Sequence, residues 1–216
     1  MDSAAQPSDE ARLLELAAVG DSGAWHALVQ LYHDRLRRMV AIRLDQRLRG
    51  RLDPSDVLQD VYINALERLP EYLNDRKLPF FLWLRLITGD RLARLHRYHL
   101  GTQARDAGRE MPLVRGLYPE SSSAALAAQL LGDDRSCGET AIRAEQLALI
   151  QDALAQLDPL DREVLALRHF EQLTSPEAAQ VLEISPAAAA KRYFRAVQRL
   201  RDVMANFPGG LEGFRP

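Results

Sequence analysis

The stretch 174–201, TSPEAAQVLEISPAAAAKRYFRAVQRLR, leaves the backbone few options. Thr174 can cap a helix, and Glu177 three residues on completes a capping box. Ser185 can cap a second helix, with Pro186 at its first position, where the missing N–H is harmless. Only Leu182, Glu183 and Ile184 lie between, so the two helices must cross sharply. That layout predicts a helix-turn-helix, whose second helix suits a DNA major groove.

The second helix divides into faces. At about 100° per residue, Ala189, Tyr193, Ala196, Val197, Leu200 and Met204 form an apolar stripe, and Lys191, Arg192, Arg195, Gln198 and Arg199 lie opposite. No acidic residue occurs from Pro186 to Arg201. A solvated face usually mixes signs, because oppositely charged pairs at i, i+4 stabilise a helix. Lys191, Arg195 and Arg199 instead repeat one sign at that spacing, which costs stability unless an anion sits opposite.

Composition limits the alternatives. The 216 residues carry a net charge of -2, so nucleic-acid contact has to come from local patches. A single cysteine, Cys137, excludes an internal disulfide or a thiolate metal cluster and reads as a bystander thiol in a loop. No apolar run reaches the ~20 residues of a membrane span, and the polar start MDSAAQPSDE is unlike a signal peptide. The expectation is a soluble intracellular chain with no metal and no cofactor.

Leu, Ala, Arg and Glu dominate, and no stretch alternates like a strand for long. The prediction is an all-α fold of two small helical domains joined by a flexible linker. The first, 8–104, holds helices near 10–19, 22–48, 53–69 and 80–99. In the third of these Asp53 caps, Pro54 takes the first position, Asp56 favours the helix dipole, and Pro70 ends the helix. Residues 105–140 read as the linker, with a helical turn at 124–131. The second domain, 141–207, contains a helix to Gln156, another capped by Asp158, and then the helix-turn-helix.

The third helix should bury Val57, Leu58, Val61, Tyr62, Ala65, Leu66 and Leu69, leaving Asp56, Gln59, Asp60, Asn64 and Glu67 on an acidic, amide-rich face. The fourth has a broad apolar arc: Phe80, Phe81, Trp83, Leu84, Ile87, Leu92, Leu95 and Tyr98. Arg91 within it is expected to snorkel outward, and Arg85, Arg94, His96 and Arg97 to lie on the remaining surface. Arginine interleaved with aromatic and aliphatic side chains suits unstacked bases.

The segments 56–65 and 80–87, followed by the helix-turn-helix, together resemble the bacterial RNA polymerase sigma factors of the extracytoplasmic-function (ECF) type. The resemblance spans both helical domains, corresponding to sigma regions 2 and 4 with no folded module between. It implies a non-enzymatic initiation factor that binds core polymerase, selects promoters and assists melting. It matches Asp56, Gln59, Asp60 and Asn64 to the part that docks on the β′ clamp helices. Arg76, Lys77, Trp83, Asp90, Arg94 and Arg97 fall in the part that reads the −10 element. Ala188, Lys191, Arg192, Arg195 and Arg199 fall in the helix that reads the −35 element. The linker would thread the polymerase channels. The implied partners are core RNA polymerase, including its β subunit, promoter DNA and an anti-sigma factor. The free chain would be a cytoplasmic monomer, joining the nucleoid in holoenzyme.

Four positions depart from the family pattern. Glu183 stands at the corner where relatives have Gly, and a non-Gly residue at positive φ is disfavoured. Asp90 stands where Asn is usual, and an Asp accepts but cannot donate. The corner 72–79 is longer and contains Arg76 and Lys77, and Lys191 is off the common register. Two other readings compete. One is a LuxR-like helix-turn-helix regulator acting on duplex DNA without polymerase. The other is a metalloenzyme using His96 and His99, although two histidines leave a site open.

Overall fold

The computed structural model describes residues 7–45, 47–100, 121–131 and 140–205. Cys137 and the linker expected at 105–120 and 132–139 lie outside the described residues. All regular structure among the described residues is helical, and no helix there is long and apolar enough to cross a membrane. The chain divides into two units, Met1–Val40 with Leu48–Met111, and Ala41–Arg47 with Pro112–Pro216.

The first unit contains α1 (Pro7–Ala18), most of α2 (Ser22–Arg43), α3 (Pro54–Asn74) and α4 (Phe80–Leu100). Gly20, at φ 93°, makes the turn after α1, and the Asp21 carboxylate accepts the Ala24 N–H at 2.9 Å to start α2. Asp53 caps α3 by accepting the Ser55 N–H at 2.7 Å. That bond favours the charged form and holds the carboxyl below its usual range.

Pro70 does not end α3; the helix runs through it to Asn74. Pro70 is exposed, so the carbonyl that loses its N–H partner there can be solvated, which reduces the cost of an internal proline. The extra turn carries Tyr72 inward. Its hydroxyl donates to the Leu78 carbonyl at 3.1 Å, fastening the corner, and its ring stacks on Trp83 at 4.5 Å between centroids. Phe80, fully buried, sits amid Trp25, Tyr32, Tyr72 and Trp83 with centroids 5.6–6.4 Å away. This cluster fixes how α3, the corner and the start of α4 meet.

The second unit holds α5 (Ser123–Leu131), α6 (Thr140–Ala155), α7 (Pro159–Leu165), a π-turn (Ala166–Phe170), α8 (Ser175–Leu182) and α9 (Pro186–Ala205). Within the stretch read as linker, 123–131 is thus a full helix. Ala125, Leu126 and Ala127 are buried with Ile150, Leu154, Phe170, Ala196 and Leu200, and Ile42 joins the same core. The small side chains of α5 let it pack closely on α6, a tertiary effect that weak local periodicity does not reveal.

Beside this core the Arg43 guanidinium is enclosed by two carboxylates. Nε donates to Glu171 at 2.9 Å and Nη2 to both Glu171 and Glu163. The side chains of Arg43 and Glu171 are 1% and 0% exposed. The two carboxylates hold Arg43 charged despite its burial, raising its already high pKa. Glu171 is aimed by the π-turn, where its N–H reaches back to the Ala166 carbonyl at 3.0 Å, one residue beyond α-helical spacing. Glu163 also accepts from the Ser121 hydroxyl at 3.2 Å.

Removing one member of such a triad strands buried charge. Arg43→Ala is expected to lower stability by about 3–5 kcal/mol. Urea denaturation followed by circular dichroism measures this; an unshifted midpoint would show that the triad contributes nothing net.

Candidate nucleic-acid interface

The helix-turn-helix is built as local chemistry dictates. Thr174 Oγ1 accepts the Glu177 N–H at 3.3 Å and Glu177 Oε2 accepts the Thr174 N–H at 2.6 Å, closing the capping box. The Ser185 hydroxyl accepts the Ala188 N–H at 3.1 Å. Between them Glu183 adopts φ 53°, ψ 39°, in the left-handed region. Ile184 N–H bonds to the Ala179 carbonyl at 3.0 Å and Glu183 N–H to Gln180 at 3.4 Å, which is a Schellman ending. The corner therefore keeps the shape glycine favours, and Glu183 bears the strain. Gln172, at φ 56°, is a second non-glycine residue in that region.

On α9, Ala189 and Ala196 are fully buried and Leu200 nearly so. Val197, expected on that stripe, is 37% exposed at its edge. Lys191, Arg195 and Arg199 face solvent, while Ala188, Arg192 and Gln198 are half-buried. Phe194 is 63% exposed and lies about 60° around the helix from Lys191. It belongs to neither of the faces expected from periodicity, and its angle, well off the apolar stripe, is the sequence signal for its exposure.

The anion opposite the arginines is internal. Arg192 Nη1 lies 2.7 Å from Asp161 Oδ1 and 3.5 Å from Asp158 Oδ1, and Arg195 Nη2 lies 3.2 Å from Asp161 Oδ1. Asp158 also caps α7, accepting the Leu160 N–H at 2.9 Å. On the neighbouring side, the Arg168 guanidinium sits 5.4 Å from the Tyr193 ring centroid.

The candidates on α4 separate into two groups. Trp83 is 7% exposed and its ring is engaged by Tyr72 and Phe80, so it supports the corner from beneath. Arg76 and Lys77 are exposed on that corner, and Lys77 pairs with Asp75 at 2.5 Å. Arg94 and Arg97 are exposed and Asp90 is half-buried. Arg94 and Arg97, with Arg91, Leu95, Tyr98 and His99, line an open groove of about 630 Å³. Tyr98, expected in the apolar arc, is 76% exposed there. Eleven residues of helix, about 16 Å, separate Trp83 from Arg94. Arg85, expected on the surface, is 1% exposed; Leu82 is buried too, so this face of α4 belongs to the core.

On α3, Asp56, Gln59 and Asp60 are exposed, while Asn64 is half-buried. Asp60 pairs with Arg91, which does reach outward. Ile63 is 62% and Leu66 44% exposed. Leu66 therefore leaves the predicted buried stripe, and Ile63 sits amid the acidic face. Among the described residues no group of three or more His, Cys, Asp or Glu could hold a metal.

Known proteins resemble this chain in sequence and in fold. Residues 147–200 match the family described as sigma-70, region 4. The chain is 33% identical to the ECF RNA polymerase sigma factor ShbA of Streptomyces griseus, over 88% of this chain and 92% of that one. It is 30% identical to the RNA polymerase sigma factor CnrH of Cupriavidus metallidurans, over 90% and 94% respectively. It is 28% identical to the ECF RNA polymerase sigma factor SigD of Mycobacterium tuberculosis, over 86% and 79%. The solved structure of CnrH in complex with the cytosolic domain of CnrY shares the fold, with a TM-score of 0.54 and 24% identity over 92% of this chain and 99% of that one.

The strained corner yields a direct expectation. Glu183→Gly should raise stability by about 1 kcal/mol, since glycine adopts this conformation without a Cβ clash. A thermal melt by calorimetry reads it; an unchanged or lowered midpoint would mean that the Glu183 side chain compensates.

Proposed function

The chain belongs to the ECF RNA polymerase sigma factors, and from that premise we propose how its surfaces divide the work. As a sigma factor it binds core RNA polymerase, directs it to specific promoters and assists promoter melting. The family is one of non-catalytic initiation factors, so nucleotide addition belongs to the polymerase. The LuxR-like alternative is not favoured.

In our reading α9 enters the major groove of the −35 element. The observation that carries this is the exposed row Lys191, Arg195 and Arg199 on a helix whose other side is packed on α7 and α8. Arginine can bond guanine bidentately, and Phe194 offers an apolar surface to thymine methyl groups. Ala188, near the start of α9, lets the backbone approach closely. Arg76, Lys77, Arg94, Arg97 and the exposed Tyr98 serve the opened −10 element, cations on phosphates and the ring against an unstacked base. Trp83 acts there by supporting the corner, and Asp90 tunes the charge of α4.

The acidic face of α3, Asp56, Gln59, Asp60 and Asn64, is assigned to the β′ clamp helices. The exposed Ile63 and Leu66 support this, because a charged rim around apolar knobs is the usual anatomy of a protein interface. The region 4 body meets the β subunit. Since CnrH was solved with the cytosolic domain of CnrY, a protein partner of the anti-sigma kind is the corresponding reading here. The protein acts in the cytoplasm, at the nucleoid while in holoenzyme, and is monomeric when free.

Arg195→Ala with Arg199→Ala should weaken holoenzyme binding to promoter DNA about tenfold or more, and flatten the salt dependence by ~0.9 for each phosphate no longer neutralised. Fluorescence anisotropy over a salt series tests this, and an unaltered affinity and slope would remove α9 from the DNA. Asp56→Lys with Asp60→Lys should abolish co-elution with core polymerase while circular dichroism stays native. Undiminished co-elution would take the docking role from α3.

A further inference from the structure

Asp161 sits where a buried charge has to be accounted for. It is the third residue of α7, in the turn that the Asp158 cap begins, and its side chain is 9% exposed. One of its oxygens, Oδ1, receives Arg192 at 2.7 Å and Arg195 at 3.2 Å. Because it is nearly dry, the pairing is screened by salt far less than a surface ion pair.

The two arginines are held unequally. The Arg192 side chain is 29% exposed and lies near both Asp161 and Asp158. It spans α7 and α9, and moving it to DNA would leave Asp161 uncovered. The Arg195 side chain is 52% exposed and reaches Asp161 at the longer distance, so it can turn to a base or phosphate while Arg192 stays. Resting on the assignment of α9 to the −35 element, we infer that Asp161 is a positioning residue for DNA reading. It fixes the seat of α9, aims the Arg195 guanidinium, and neutralises Arg192 so that this charge does not add to sequence-blind attraction for phosphate.

This role separates specificity from affinity. Asp161→Asn keeps the side-chain shape but removes the charge, releasing two cations at once. Non-specific binding should rise, with a steeper salt slope by ~0.9 for each phosphate newly engaged. Discrimination among upstream sequences should fall by about fivefold or more, because an unaimed guanidinium no longer bonds a base edge bidentately. A residue that merely stabilised the fold would weaken all sequences alike and leave the slope unchanged.

The test uses full-length protein in holoenzyme and a duplex pool with a randomised upstream element, sequenced after binding at several salt concentrations. The expected result is a sharp enrichment profile for the wild type, a flattened one with a steeper slope for Asp161→Asn, and recovery of the sharp profile in Asp161→Glu, which restores the carboxylate. A wild-type profile and slope in Asp161→Asn, or uniform weakening without flattening, overturns the inference. If Asp161→Asn does not fold, Asp161→Ser carries the test: it also removes the carboxylate, and the same flattening with a steeper slope is expected, with an unchanged profile and slope overturning the idea. A wild-type holoenzyme that enriches no upstream sequence would instead sink the assignment of α9 itself.

Discussion

A protein made of helices must dispose of the backbone donors and acceptors that every helix end leaves open. That constraint governs the geometry here. Asp53, Asp158, Thr174 with Glu177, and Ser185 each close a helix start with a side-chain oxygen. The Schellman ending at Glu183 closes the last carbonyls of α8. Because the stop of α8 and the start of α9 are satisfied within Leu182–Ser185, the angle between them is set locally. The exposed face of α9 inherits its direction from that corner and from its packing on α7.

Charge is used differently in three settings. On α3 it lies at the surface and is available to a partner. Around Arg43 it is dry and closed on itself, with Glu163 and Glu171 consuming the guanidinium. At Asp161 it is intermediate: a nearly buried acid meets one enclosed and one half-free arginine. Burial and the number of ion-pair partners thus distinguish enclosed cations from those open to solvent, a distinction that sequence spacing treats as one basic face.

What is legible in the sequence is local. Caps and the paired helices of the corner depend on residues within four positions, and each stands where expected. The buried stripe of α3 follows from periodicity except at Leu66, which is exposed, and Tyr62, which is half-buried. What escapes is set at long range. By spacing Trp83 is a candidate for DNA and Arg85 a surface residue, yet the aromatic cluster around Phe80 and the core claim them. Asp161 stands out in no local pattern, since nothing near it announces arginines more than thirty residues away. Pro70 has the form of a stop, but an exposed proline in an otherwise anchored helix is tolerated. Helix α5 lacks strong periodicity because small residues that pack from several sides leave little amphipathic signature.

The π-turn at Ala166–Phe170 has a consequence for how this region tolerates change in length. It accommodates one residue more than an α-helical path would. Excising a single residue there would restore regular α-helical winding while leaving the residues on either side in nearly the same phase. Glu171 would then still face Arg43. A single deletion in this turn should therefore be tolerated better than one inside α9, where each lost residue rotates everything after it by about 100°.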